Sequence, residues 1–243
     1  MLKIDHIAII TPNLTTTAWQ LQSAGLGSYD GGYNFIDDDG AQRAATAHRP
    51  VPLGNDQYIE IEQPIDVQTP GKVNKGLPRY VADLHDRVRQ HGPVILAFWV
   101  LTDDFDGHAR RLGLEEQLHQ RVKPDGAVIK SRSAPWSYQA IQRGLPPFFE
   151  FTIPLDEWPT RTHALEYEIE PMGVAWLEVT TDRASMEAWL GPEAEQLPLR
   201  YSENDDGVAP GISGLGVALA NGDVVEIRPS GQFLIITRTT RVQ

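Results

Sequence analysis

The fold of this 243-residue chain is decided by residues 4–14, which read IDHIAIITPNL. The stretch is apolar up to Ile10, apart from Asp5 and His6, which is typical of a half-buried or buried strand. Asn13 is a preferred helix N-cap residue, and apolar residues follow it at helical spacing as far as residue 24. The stretch therefore predicts a strand that leads at once into a helix.

The same pattern of strand and helix recurs twice, but without the histidine. Alanine stands at both positions equivalent to His6, namely Ala97 and Ala175. In each unit, a glutamate follows within a late apolar strand, at spacings of 54, 53 and 51 residues. These glutamates are Glu60, Glu150 and Glu226. Such regular spacing indicates an internal repeat of three βαβββ units, which we place at residues 1–63, 94–153 and 173–243.

Composition excludes several classes of function. The net charge of -12 argues against binding to nucleic acid or to an anionic membrane surface. The chain has no cysteine, so a metal would have to be bound by His, Asp, Glu or water. It shows neither a signal peptide pattern nor an apolar run long enough to span a membrane, and we expect a cytoplasmic protein.

Several motifs, taken in order over residues 2–153, resemble the vicinal oxygen chelate superfamily and, within it, the glyoxalase-like domain proteins. In the first unit they are IDHIA (4–8), TPNL (11–14) and GNDQYIEI (54–61). In the second unit they are FWVLTDDF (98–105), RVKPDG (121–126) and LPPFFEF (145–151). The third unit matches only in its general pattern.

The resemblance implies an α+β fold of paired βαβββ modules whose sheets curl around a cavity, and the third unit would add a C-terminal βαβββ-like module. In metal-dependent members, the first and fourth strands of two modules bind a divalent ion that chelates two neighbouring oxygens of a small metabolite. His6, Glu60 and Glu150 match three of the four ligand positions. Such a site would suit Zn, Fe, Ni, Co or Mn.

Ala97 departs from the metal-binding pattern, which has His or Gln at that position. Three ligands and a water can form an open catalytic site, but the same set also fits a site that has lost its function. For His6 the alternative is a hydrogen-bonded histidine in the barrel wall, and for Glu150 it is a pair with Arg121 or Arg132. His48 is either a replacement ligand or a histidine of an edge strand.

The leading prediction is a metal-dependent lyase, isomerase or dioxygenase in which Glu150 also moves a proton. The alternative is a protein that binds or sequesters a small molecule without metal and without catalysis, and a decayed scaffold is the third. Four side chains are predicted to bind the substrate or ligand: Trp99, Arg121, Arg132 and Trp136. We expect the third unit to pack on the first two or on its copy in a homodimer.

Overall fold

The computed structural model describes residues 1–38, 41–65, 77–122, 128–134, 141, 143–158, 165–202 and 211–240. Within these ranges it leaves out the side chains of residues 34–38, 41–45, 77–83, 117–122, 128–129 and 134. The described chain contains mixed β-sheets and four α-helices, so the predicted α+β fold class is confirmed.

The first unit has the predicted order of one strand, one helix and three strands. Its elements are β1 (Leu2–Ile10), α1 (Leu14–Ser23), β2 (Tyr33–Asp38), β3 (Ala41–Pro52) and β4 (Tyr58–Pro64). Asn13 caps α1 as expected, because its side chain accepts a hydrogen bond from the backbone N–H of Thr16. The connecting helix α2 (Leu77–His91) follows.

The second unit repeats this order and completes an eight-stranded sheet. Its elements are β5 (Val94–Thr102), α3 (Phe105–Leu112), β6 (Gln117–Val122), β7 (Val128–Ala134) and β8 (Phe148–Phe151). The strand order is β2-β3-β4-β1-β5-β8-β7-β6, and the sheet curls into a half-barrel. In each unit the first strand pairs in parallel with the last, and β1 pairs antiparallel with β5 to join the two units.

The third unit differs from the first two in strand order. Its elements are β9 (Pro171–Val179), α4 (Arg183–Leu190), β10 (Leu199–Tyr201), β11 (Ile212–Leu219), β12 (Val224–Ser230) and β13 (Phe233–Thr239). They form a separate sheet with the order β10-β9-β11-β12-β13. β9 therefore pairs in parallel with β10, and β12, which contains Glu226, does not touch β9. Glu226 is thus not the equivalent of Glu60.

The third unit packs on the first two, which is one of the two arrangements expected. A single apolar core contains side chains from both sheets, including Ile7, Ile59 and Phe148 of the larger sheet and Leu177 and Leu215 of the smaller one. We call the surface of the larger sheet that enters this core the core face. The opposite surface, which presents His6, is called the His6 face. No helix of the described chain is long and apolar enough to cross a membrane.

Helix α2 covers part of the His6 face. Leu84 and Val88 are buried there in a second apolar cluster with side chains of β1, β5 and β8. This helix therefore shields part of the His6 face from solvent. Glycine at position 92 ends the helix with a φ of 74°, a left-handed conformation that favours glycine.

Candidate functional site

His6 is fixed in position by a bulge and by two aromatic rings. The pairing of β1 with β5 shifts by one residue between Ile4 and His6, so Asp5 lies in a bulge. The Asp5 carboxylate accepts a hydrogen bond from Nδ1 of His6 at 2.7 Å. The imidazole stacks between Tyr58 at 4.8 Å and Trp99 at 4.5 Å, measured between ring centroids. These contacts fix the ring plane and leave Nε2 as its available nitrogen.

Glu60 lies on the same face of the sheet as His6. It pairs with Ala8 in the parallel ladder between β1 and β4, and residues that pair across strands point to one face. Glu60 Oε2 is 3.8 Å from His6 Nε2, and the Glu60 side chain keeps 18% of its surface exposed. A small molecule at this face could therefore contact both groups.

His48 also belongs to this cluster. The sequence left two interpretations open for it, a replacement ligand or a histidine of an edge strand. It is not on an edge strand, since β3 pairs with both β2 and β4. His48 is 4% exposed, and its Nδ1 lies 2.9 Å from Oε1 of Glu60. That contact is an ion pair that is not aligned for a hydrogen bond, and among the residues that the structure describes Nδ1 has no hydrogen-bond partner. Buried nitrogens without partners are rare and often mark the place of a ligand, ion or water.

Strands β5 and β8 of the second unit form an apolar part of the His6 face. Ala97 pairs with Ala8, and Trp99 pairs with His6. The side chains buried in this part include Ala97, Trp99, Leu101, Phe149 and Phe151. The two units therefore contribute differently to one surface, because the first supplies imidazoles and carboxylates, whereas β5 and β8 of the second supply an apolar wall.

Glu150 lies on the core face, away from His6. It is between Phe149 and Phe151, which belong to the His6 face, so strand alternation turns it the other way. Its Oε2 accepts hydrogen bonds from Nε and Nη2 of Arg132 at 2.8 and 2.6 Å. Arg132 also donates to Asp106 at 2.8 Å. Burial lowers the pKa of Arg132. The hydrogen bonds to these two carboxylates raise it by a larger amount, so the net shift of the pKa is upward.

The predicted site residues are therefore divided. The structure brings together His6, Glu60 and Trp99, and it separates Glu150 and Arg132 from them as an ion pair on the other face. For Arg121 only the backbone in β6 is described, and Trp136 lies outside the described residues.

The side chains at the four expected ligand positions do not form the metal centre that the resemblance implies. Ala97 provides no ligand atom, and Glu150 faces away. Within the described ranges, no group of three or more His, Asp or Glu side chains is arranged to hold a metal ion. His6 and Glu60 remain the two members of the expected set that face each other.

A family model described as a glyoxalase-like domain matches residues 4–194. No protein of curated function matches the chain. Among solved structures, a hypothetical protein from Staphylococcus aureus is similar over 91% of this chain and 82% of its own, with 14% identity and a TM-score of 0.50. At that identity the likeness shows the fold alone.

Two further solved structures are less similar. A variant of Streptomyces coelicolor methylmalonyl-CoA epimerase, in complex with 2-nitronate-propionyl-CoA, aligns with 65% of this chain and 98% of its own, at 17% identity and a TM-score of 0.35. A xylose isomerase-like TIM barrel/4-hydroxyphenylpyruvate dioxygenase fusion protein aligns with 90% of this chain and 30% of its own, at 11% identity and a TM-score of 0.37.

Proposed function

Because the chain belongs to the glyoxalase-like domain family of the vicinal oxygen chelate superfamily, we propose that it is an enzyme that transfers a proton within a small oxygenated metabolite. The metabolite binds at the His6 face. One observation carries the proposal: Asp5, His6, Glu60 and His48 form a continuous row of alternating carboxylates and imidazoles. Rows of this kind are typical of sites that accept and donate protons.

Glu60 is the base in this proposal. A carboxylate can remove a proton from the carbon next to a carbonyl group if it lies within hydrogen-bonding reach of that proton. The partial exposure of Glu60 allows this approach, while the rest of the row is more deeply buried. His48 contacts the second carboxylate oxygen and so restricts the rotation of the Glu60 carboxylate.

His6 supports the substrate oxygen in this proposal. Removal of the proton leaves negative charge on that oxygen, and a preorganised donor stabilises such charge most effectively. Asp5 accepts the hydrogen on Nδ1, so Nε2 is the nitrogen that faces the site and that would donate to the substrate oxygen when it carries a hydrogen. Tyr58 and Trp99 hold the ring in place, so no reorientation is needed during the reaction.

A divalent ion held by His6 and Glu60 is the second candidate. The contact between Asp5 and His6 favours it, because metal-bound histidines commonly donate their other ring N–H to a carboxylate. Zn, Fe, Ni, Co and Mn suit this pair, and such an ion would polarise the neighbouring oxygens of a metabolite. Of the four ligand positions that the resemblance implies, the described residues fill only two, with His6 and Glu60. We therefore assign the proton transfer to the side chains of Glu60 and His6 alone.

Deuterium exchange tests the proposal without a known substrate. Candidate 2-oxo acids, 2-hydroxy acids and hydroxyketones are incubated with the protein in D2O, and loss of the carbon-bound proton next to the carbonyl or hydroxyl group is followed by NMR. We expect exchange in one of these classes, and we expect Glu60→Gln to slow it by about 100-fold or more. Glu150→Gln is the matched control and should leave the rate unchanged.

Three results would change this conclusion. Saturable binding without exchange would favour the alternative of a binding protein. Exchange that survives Glu60→Gln would contradict the role of Glu60. Stoichiometric metal in protein purified without chelator, lost in His6→Ala together with exchange, would replace the metal-free proposal with the metal-dependent one.

A further inference from the structure

Strand β13 forms one edge of the smaller sheet. It pairs with β12 along its whole length, from Phe233 to Thr239. In the part of the chain that the structure describes, no strand pairs with its other side. We propose that this free edge is a dimerisation surface and that its partner is the same edge of a second copy of this chain.

The other three sheet edges carry features that discourage pairing. Strand β2 ends in two aspartates, Asp37 and Asp38, and β6 contains the charged Arg121. Strand β10 is only three residues long and includes Arg200. Charged residues and short length are the usual means by which proteins protect an edge strand.

Strand β13 lacks these features over most of its length. It has seven residues, no proline, and no charge before Arg238. Its residues are aromatic, aliphatic or β-branched at six positions, which favours pairing in a sheet. An unprotected edge of this composition is a site at which a strand of another chain can pair.

Exposed apolar side chains accompany this edge. Leu234 points into the core, whereas Phe233 and Ile235 point outward and are 67% and 51% exposed. Large apolar residues that lie two positions apart on one strand form a continuous strip. A second copy paired at this edge would place its own strip beside this one and reduce the exposed area of both side chains.

A two-fold axis through Ile235 makes the edge complementary to itself. In an antiparallel pair with this register, Ile235 lies next to the partner's Ile235, and Phe233 lies next to the partner's Thr237. Pairs of aromatic and β-branched residues across strands are stabilising. The two copies of Arg238 lie at opposite ends, so like charges do not meet. The result is a continuous sheet of ten strands with an isologous interface.

Solution mass and one substitution test the proposal. We expect wild-type protein at about 100 µM to sediment at twice its chain mass of 27.0 kDa. Ile235→Lys places a charge on the axis and should weaken dimerisation by about 30-fold or more. Leu155→Lys is the matched control, since Leu155 is 52% exposed and lies in another part of the chain. Circular dichroism checks that both variants fold.

Hydrogen exchange locates the interface. Backbone amides of residues 233–239 should exchange more slowly in wild-type protein as its concentration rises, and they should not do so in Ile235→Lys. A wild-type monomer at the highest concentration would overturn the proposal. A dimer that Ile235→Lys leaves intact would overturn it as well, because the interface would then lie elsewhere.

Discussion

The substitution Glu150→Gln distinguishes a structural glutamate from a catalytic one. In wild-type protein Glu150 Oε2 accepts two hydrogen bonds from Arg132, and the two side chains are 15% and 22% exposed. The glutamine keeps a similar shape but loses the charge. Arg132 then retains its ion pair with Asp106 and a longer contact with Glu116 at 3.5 Å.

The expected loss of stability follows from this partial burial. Exposed ion pairs contribute about 0.2 to 1 kcal/mol, and loss of one partner of a buried pair costs about 3 to 5 kcal/mol. Because Arg132 is only partly buried and keeps other partners, we expect a cost of about 1 to 3 kcal/mol. For a chain of this size, that corresponds to a fall in Tm of roughly 2 to 10 °C.

Calorimetry and urea unfolding measure this change. Glu157→Gln is the control, because Glu157 is an exposed carboxylate in a short 3-10 helix. Proton exchange and metal content should be unaffected by Glu150→Gln. A Tm within about 1 °C of wild type, together with abolished exchange or metal binding, would contradict a purely structural role for Glu150. Glu150 would then act at the His6 face, as the sequence predicts.

Three further predictions concern the third unit and its contact with the first. Gln57→Leu should cost about 2 to 4 kcal/mol in urea unfolding, because the buried Gln57 amide bonds a carbonyl of β1 and an N–H of β9. Hydrogen bonds from Arg228 lower the pKa of Glu178 below its ordinary 4.5, so this pair stabilises the fold above that pH and its contribution disappears as pH falls through the lowered pKa. The stability difference between wild type and Glu178→Gln should therefore shrink as unfolding is measured at lower pH, and a constant difference would contradict it. Gly216→Ala should cost about 1 to 3 kcal/mol and change the near-UV circular dichroism, because a β-carbon at that position overlaps the indole of Trp176.

The sequence by itself determined the order of the elements in the first two units. Alternation of apolar and polar residues, a helix cap and turn residues are local signals, and they place strands and helices correctly in the described parts of the first two units. The third unit has four strands after its helix rather than the three of the βαβββ pattern. The resemblance places His6 and Glu60 on the first and fourth strands of one module, and the parallel pairing of these strands brings the two side chains together. The order of strands in the third sheet could not be obtained in this way, because sequence does not show which neighbours a strand chooses.

Only the tertiary structure decided which face each polar side chain occupies. Glu150 lies in a strand that is buried on both sides, so the apolar residues around it do not show which way it points. The bulge at Asp5 shifts the register by one residue, and a shift of one residue reverses the face. His48 approaches Glu60 because β3 pairs with β4. Contacts of this kind depend on register and pairing, and these are set by packing across the whole sheet.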